Sequence, residues 1–389
     1  MRIAWVIPAF GHFRVPVYQE LDFLICGGLS VIFSASRTGE VRGNALKAVL
    51  GQRAIGLAGE VVSSLGGDAT SFSNRGVLVP FQKGLLRAIL DAEPDCLVAE
   101  GFFQWTPAAL AAKIRKGIPL VIAYERTAHT ERHAGRLRTI YRRGLARAVD
   151  AIACNGSLSR DYCATVLRFP RERIVTGAMA ADVEHMEQAD GSGPPEEIED
   201  LPRPRFVFVG RLVVRKGVAQ LVEGWARAAA VRPDLGSLVV IGDGPERSRL
   251  QARVIERGPG NIRFLGAIDY DRIPRFYAGC DALVMPTLED NWSLVVPEAM
   301  ACSKTVLCSV HNGCWPELVR EGENGWLFNP LDPESTARAL LAASDARRDL
   351  EAMGLASRRI VADYTPRRAA EAILRACEIA TSHYRGGGR

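Results

Sequence analysis

The chain has 389 residues, 48% apolar and 24% charged, with a net charge of +5. That length exceeds one ordinary hydrophobic core and predicts two domains. The composition excludes disordered and fibrous classes, and no run approaches the roughly 18 uncharged apolar residues of a membrane span.

Met1–Pro8 enters a strand pattern directly and lacks a signal-peptide layout, so a cytoplasmic protein is expected. Short branched runs at Ile3–Pro8, Leu29–Ser34, Cys96–Ala99, Leu120–Tyr124 and Ala151–Cys154 predict buried strands. Between them Val15–Cys26, Phe81–Ala92, Thr106–Arg115, Arg136–Ala148 and Ser157–Leu167 carry helical spacing. Such alternation predicts a parallel sheet wrapped by helices. The pattern collapses into Gly, Pro and acid from Gly191 to Pro204, which reads as a linker.

A second series follows. Phe206–Val209, Ser237–Ile241, Ala282–Met285, Thr305–Cys308 and Trp326–Phe328 read as strands, with helical stretches at 216–230, 245–257, 271–279 and 294–302. The expected architecture is α/β: two Rossmann-like doubly wound domains facing a central cleft. The first covers 1–187, the linker 188–204 and the second 205–365. A helix in 366–389, apolar on one face, packs back toward the N-terminal domain.

Nine scattered cysteines, none in a CxxC pair, predict reduced buried thiols, and no His/Cys or His/Glu spacing suggests a metal site. Charge is uneven. Up to Glu187 there are 23 Lys/Arg against 17 Asp/Glu, and the excess is densest from Lys113 to Arg147. A one-sided basic face suits an anionic partner such as a phospholipid surface, a nucleic acid or a phosphate-bearing substrate.

Four strand-and-loop stretches in the second half carry chemistry. Gly210 allows a sharp turn after its strand, and Arg211 and Lys216 can straddle a pyrophosphate. Gly242-Asp-Gly244-Pro opens a second helix, either as a close approach to a ligand or as a structural turn. The stretch Asn261–Asp269, with Ile268, offers backbone to a base edge. From Pro286 to Cys302 a polar loop with Glu289 and Asp290 leads into a helix bearing Glu298, a place suited to an anion. No GxGxxG follows either first strand, which disfavours a Rossmann dehydrogenase.

Gly210-Arg-Leu…Lys216-Gly, Gly242-Asp-Gly-Pro, Phe264-Leu-Gly, Pro286-Thr…Glu298-Ala-Met-Ala-Cys and Gly313…Pro316-Glu-Leu-Val…Asn324-Gly occur in order. Together they resemble the retaining, GT-B-fold glycosyltransferases of family 4, closely from about 205 to 365 and more loosely before. The resemblance implies that Arg211 and Lys216 neutralise a donor diphosphate and that Glu298 holds both ribose hydroxyls. It assigns the amides of Trp292, Ser293 and Leu294 to the diphosphate or sugar, and the acid at 290 to the sugar hydroxyls. That acid is normally Glu. Here it is Asp290, one methylene shorter, with Glu289 as the alternative. Gly11 matches a glycine near the donor phosphates, with His12 and Arg14 beside it. At position 125, where the family often has His, this chain has Glu125, leaving His129 or His133 as candidates. His185, His311 and His383 carry no functional argument.

The expected activity is transfer of a sugar from a nucleotide diphosphate donor, UDP before GDP, to an acceptor hydroxyl with retention. The acceptor is a saccharide, lipid-linked or phosphate-bearing, at the inner membrane face in polysaccharide or glycolipid assembly. No cofactor and no metal are expected, there being no DxD-type motif at a suitable loop. A sugar-nucleotide epimerase of the same fold is one rival. A nucleic-acid-binding protein using the basic face is another; it leaves Glu298 and Gly210 unexplained and lacks aromatic stacking platforms.

Overall fold

The computed structural model describes residues 1–65, 77–187, 193–257 and 261–386. The chain divides into two compact units, Met1–Ala180 with Pro366–Arg389, and Ala181–Thr365.

The first unit is built on β1 (Ile3–Ile7), β2 (Leu29–Ser34), β3 (Ala54–Leu57), β4 (Val61–Leu65), β5 (Val77–Phe81), β6 (Cys96–Glu100), β7 (Leu120–Tyr124), β8 (Ala151–Cys154) and β9 (Ile174–Thr176). Seven form one sheet in the order β3-β2-β1-β6-β7-β8-β9, every pair parallel. These strands are apolar at almost every position because helices cover both faces of the sheet. Alternate residues of β1 feed the two cores: Ile3, Trp5 and Ile7 on one face, Ala4 and Val6 on the other. The last helix, Pro366–Gly386, lies in this unit and lines the first of those faces with Ala369, Ala370, Ile373, Ala376, Cys377 and Ala380.

Phe81–Ala92 does not form a continuous helix. Val77–Phe81 instead pairs antiparallel with β4, Val61 opposite Phe81, and the helix starts at Leu85 after Gly84 in a left-handed turn.

The second unit carries β10 (Arg205–Val209), β11 (Ser237–Ile241), β12 (Ile262–Gly266), β13 (Ala282–Met285), β14 (Thr305–Ser309) and β15 (Gly325–Phe328). Their order is β12-β11-β10-β13-β14-β15, again with parallel pairing throughout. This unit begins at Ala181, so the short helix Val183–Glu187 belongs to it and packs on helix Val295–Ala301. Within 188–204 the described part makes one helical turn, Glu196–Glu199, with Ile198 buried; 188–192 lie outside the described residues.

Strand order reverses between β1 and β6 in the first unit and between β10 and β13 in the second. Loops leaving the two strands at such a switch point diverge to opposite faces and leave a crevice at the carboxyl ends. The loop 210–217 after β10 and the loop 286–294 after β13 flank this position in the second unit.

Candidate active site

Two backbone contacts fix the switch-point loops of the second unit. Gly242 has φ +132°, and a Cβ there would lie 1.9 Å from the Gly210 carbonyl oxygen. Gly217, at φ +70°, comes as close to the Pro286 carbonyl oxygen. Only glycine permits either approach. The reading of Gly242 and Gly244 as a structural turn accounts for their presence, since Gly244 packs on Leu212 in the same way. The Arg215 carbonyl accepts from Leu288 N at 2.8 Å, Thr287 Oγ1 at 3.0 Å and Glu289 N at 3.3 Å. The β10 loop is thereby stitched to the β13 loop.

This stitching brings Lys216 to Asp290. Lys216 Nζ donates to Asp290 Oδ2 at 2.5 Å. Ser293 Oγ donates to the same oxygen at 2.7 Å, and Trp292 N donates to Oδ1 at 3.2 Å. Burial alone would raise the Asp290 pKa. The ammonium of Lys216, helped by the Ser293 hydroxyl and Arg215, outweighs it and holds the carboxyl below its ordinary range. Asp290 is thus a charged, largely enclosed group held by Trp292 and Ser293 of its own loop and by Lys216 of the neighbouring one. Arg211, in contrast, is exposed.

Here the structure departs from the sequence reading. The amide of Trp292 is taken by Asp290, and that of Ser293 by Asn312 Oδ1 at 3.3 Å. Asn312 also accepts from Cys314 N at 3.4 Å and is itself fully buried. Leu294 precedes the helix Val295–Ala301 as its cap residue. Glu289 is buried, with its amide directed to the Arg215 carbonyl.

Glu298 projects from the first turn of that helix and is 5% exposed. Tyr270 Oη donates to Glu298 Oε1 at 3.2 Å. Burial pushes the Glu298 pKa up to about 7; the Tyr270 hydrogen bond opposes the shift and the charge of Asp182 adds to it. The Tyr270 ring stacks on His185 with centroids 5.1 Å apart. Ile268, half-buried in the loop after β12, lies two residues before Tyr270. Sequence reasoning missed Tyr270, Asp182 and Asn312. Asn312 stood in a turn noted only for its glycine, and no spacing rule links 270 to 298.

In the first unit, Gly11 and His12 lie in the loop after β1, and His12 meets the Phe13 ring edge-on. Arg14 is not presented to a ligand. It is 5% exposed, donates to the Ala178 carbonyl at 3.0 Å, approaches Glu100 Oε1 at 3.5 Å and sits over the Trp5 ring. Burial raises the pKa of Glu100 against the attraction of Arg14, with the Glu125 charge adding to the rise. Glu125 follows β7, half-buried, and its carbonyl accepts from Ser159 Oγ at 2.8 Å. His129 is half-buried and His133 exposed.

Two parallel α/β units, each with polar loops at a strand-order switch, define a GT-B type of architecture. Solved structures agree: HepE of Anabaena in complex with UDP superposes with a TM-score of 0.72 at 18% identity, covering 96% of this chain and 99% of that one. In sequence, the family described as Glycosyltransferase Family 4 matches residues 49–184, and Glycosyl transferases group 1 matches residues 203–345. The chain belongs to the group 1, family 4 glycosyltransferases. Sulfoquinovosyl transferase of Arabidopsis thaliana is 30% identical over 170 residues, 43% of this chain and 30% of that protein. A D-inositol 3-phosphate glycosyltransferase of Rhodococcus jostii is 25% identical over 332 residues, 80% of this chain and 72% of that protein. The chain spans about a third of the length of the first curated relatives it matches.

Proposed function

We propose that the protein transfers a sugar from a nucleotide diphosphate donor, UDP before GDP, to an acceptor hydroxyl with retained anomeric configuration. One observation carries this reading: Lys216 and Ser293 meet on Asp290 beside the β10/β13 switch point of the second unit, and the helix that follows carries Glu298. Donor-bound relatives supply the ligand class, HepE having been solved with UDP-glucose as well as UDP.

In this reading Glu298 accepts from both ribose hydroxyls, a task for a two-oxygen acceptor. Ile268 borders the base. Arg211 and Lys216 stabilise charge developing on the departing diphosphate as the sugar passes through an oxocarbenium-like state. The reaction is metal-independent in this scheme because those two cations supply the positive charge the leaving group needs. Asp290 orients Lys216 and accepts a sugar hydroxyl when the donor arrives. Its shorter reach, compared with Glu, is made up by the close stitching of the two loops. Gly11, His12, Glu125 and His129 are the acceptor-side candidates, and the acceptor is a saccharide, free or lipid-linked, in polysaccharide or glycolipid assembly.

Thermal-shift measurement with UDP, GDP and their common sugars tests the donor. At a hundredfold excess over Kd a true ligand stabilises by about 2.7 kcal/mol. Stabilisation by UDP and UDP-sugars is expected, and no shift with any nucleoside diphosphate overturns the reading.

A further inference from the structure

The basic stretch from Lys113 to Arg147 separates into two sets in the folded chain. Lys113 pairs with Asp150, Arg142 and Arg126 close on the buried Glu131, and Arg143 Nε donates to the Val166 carbonyl. These hold the first unit together. The helix Arg136–Ala146 presents the second set. Leu137 is 83% exposed, Ile140 61% and Tyr141 39%. Their spacing of three and four residues puts them in one stripe, and Gly144 continues it. Arg136 and Arg147 are both exposed and stand along one border of that stripe at its two ends. No Asp or Glu occurs between Glu131 and Asp150, while six arginines do.

An exposed aliphatic stripe bordered by arginine and free of acid is poorly suited to water alone. A nucleic acid would match the arginines but offer nothing to Leu137 and Ile140. An anionic bilayer surface matches both, with acyl chains for the stripe and headgroups for the border. We infer that helix Arg136–Ala146 docks the protein onto anionic lipid, Leu137 and Ile140 entering the headgroup boundary and Arg136 and Arg147 lying along it. This contact is independent of the donor reading, since neither the stripe nor its border belongs to the loops around Glu298. It names the element through which a lipid-linked acceptor would be met.

The test is co-sedimentation of the full chain with phosphatidylcholine vesicles, with and without about a third phosphatidylglycerol, at low and high salt. Wild-type protein is expected to pellet with the anionic vesicles at low salt. Leu137→Glu with Ile140→Glu lowers the bound fraction about tenfold or more, and Arg136→Ser with Arg147→Ser abolishes its dependence on phosphatidylglycerol. Both exposed pairs tolerate change, so unaltered circular dichroism and an unaltered thermal response to UDP accompany the loss. Equal binding by wild type and the Leu137/Ile140 variant overturns the inference, as does failure of the wild type to bind. A wild type that binds oligonucleotides in preference to vesicles also overturns it. A protein that pellets with vesicles but shows no response to any nucleotide leaves the inference standing and removes only the donor reading.

Discussion

Glu298→Gln separates what this carboxylate costs the fold from what it gives to a ligand. In the folded protein its pKa is raised from 4.5 to about 7, burial being the main cause. A carboxyl with a raised folded-state pKa favours folding while protonated. Its contribution is whole below the unfolded value, fades as pH rises through about 7, and is gone above. At 1.36 kcal/mol per pKa unit, the loss at alkaline pH is about 3 kcal/mol. Gln keeps an oxygen for the Tyr270 hydroxyl and does not ionise. The variant should therefore match the wild type near pH 4 and exceed its stability at pH 8 by about 3 kcal/mol. That corresponds to roughly 6–12 °C in the melting of a unit this size. Nucleotide affinity should move the other way, falling by about 1–3 kcal/mol, because the neutral amide accepts less strongly from a diol. Thermal denaturation from pH 4 to 8, with and without UDP, reads both effects. A stability difference that does not change with pH refutes the burial argument. Unchanged UDP affinity refutes the ribose role.

Lys216→Ala leaves the buried Asp290 carboxylate without its cation, so a loss of about 3 kcal/mol in stability should accompany a loss of turnover by orders of magnitude. Lys216→Met with Asp290→Asn should recover most of the stability and none of the turnover, as denaturant titration and a nucleotide-release assay would show. Recovery of turnover would remove Lys216 from the chemistry. Gly242→Ala forces a methyl against the Gly210 carbonyl in a backbone region that L-residues avoid, and should destabilise by about 2–4 kcal/mol. A melting temperature within 2 °C of wild type would show that the loops yield at little cost, by the usual conversion of roughly 2–4 °C per kcal/mol.

The strands at both sheet centres were legible because burial on two faces leaves them almost purely apolar, a signal that needs no context. β3, β9 and the β4/β5 hairpin were not. They lie at sheet edges or outside the sheet, and the hairpin carries exposed residues such as Val61 and Phe81 that blur the pattern. In the site, Glu298 and Lys216 could be picked out because their spacing from glycines and a helix start is a local property. Tyr270 and Asn312 act through contacts across 28 and 19 residues, which no window along the chain reveals. Arg14 was misread for a related reason. A basic residue beside a loop glycine looks ligand-facing until its partners Ala178 and Glu100 are seen to enclose it. Gly242 and Gly244 were open to two readings, and the backbone of Gly210 and Leu212 lying against them supplies a reason for each independent of any ligand.

The helix Pro366–Gly386 makes the first unit discontinuous, its sheet made before the second unit and one of its covers made after it. During synthesis, residues 181–365 form an uninterrupted stretch that can complete its fold before that cover leaves the ribosome. Until then the face of the N-terminal sheet at Val98, Val121 and Ala151 lacks that cover. A premature stop near residue 365 would therefore damage the half of the protein made first, leaving a sound C-terminal unit tethered to an adhesive one. Residues 366–386 act, in this sense, as the release signal for the N-terminal fold.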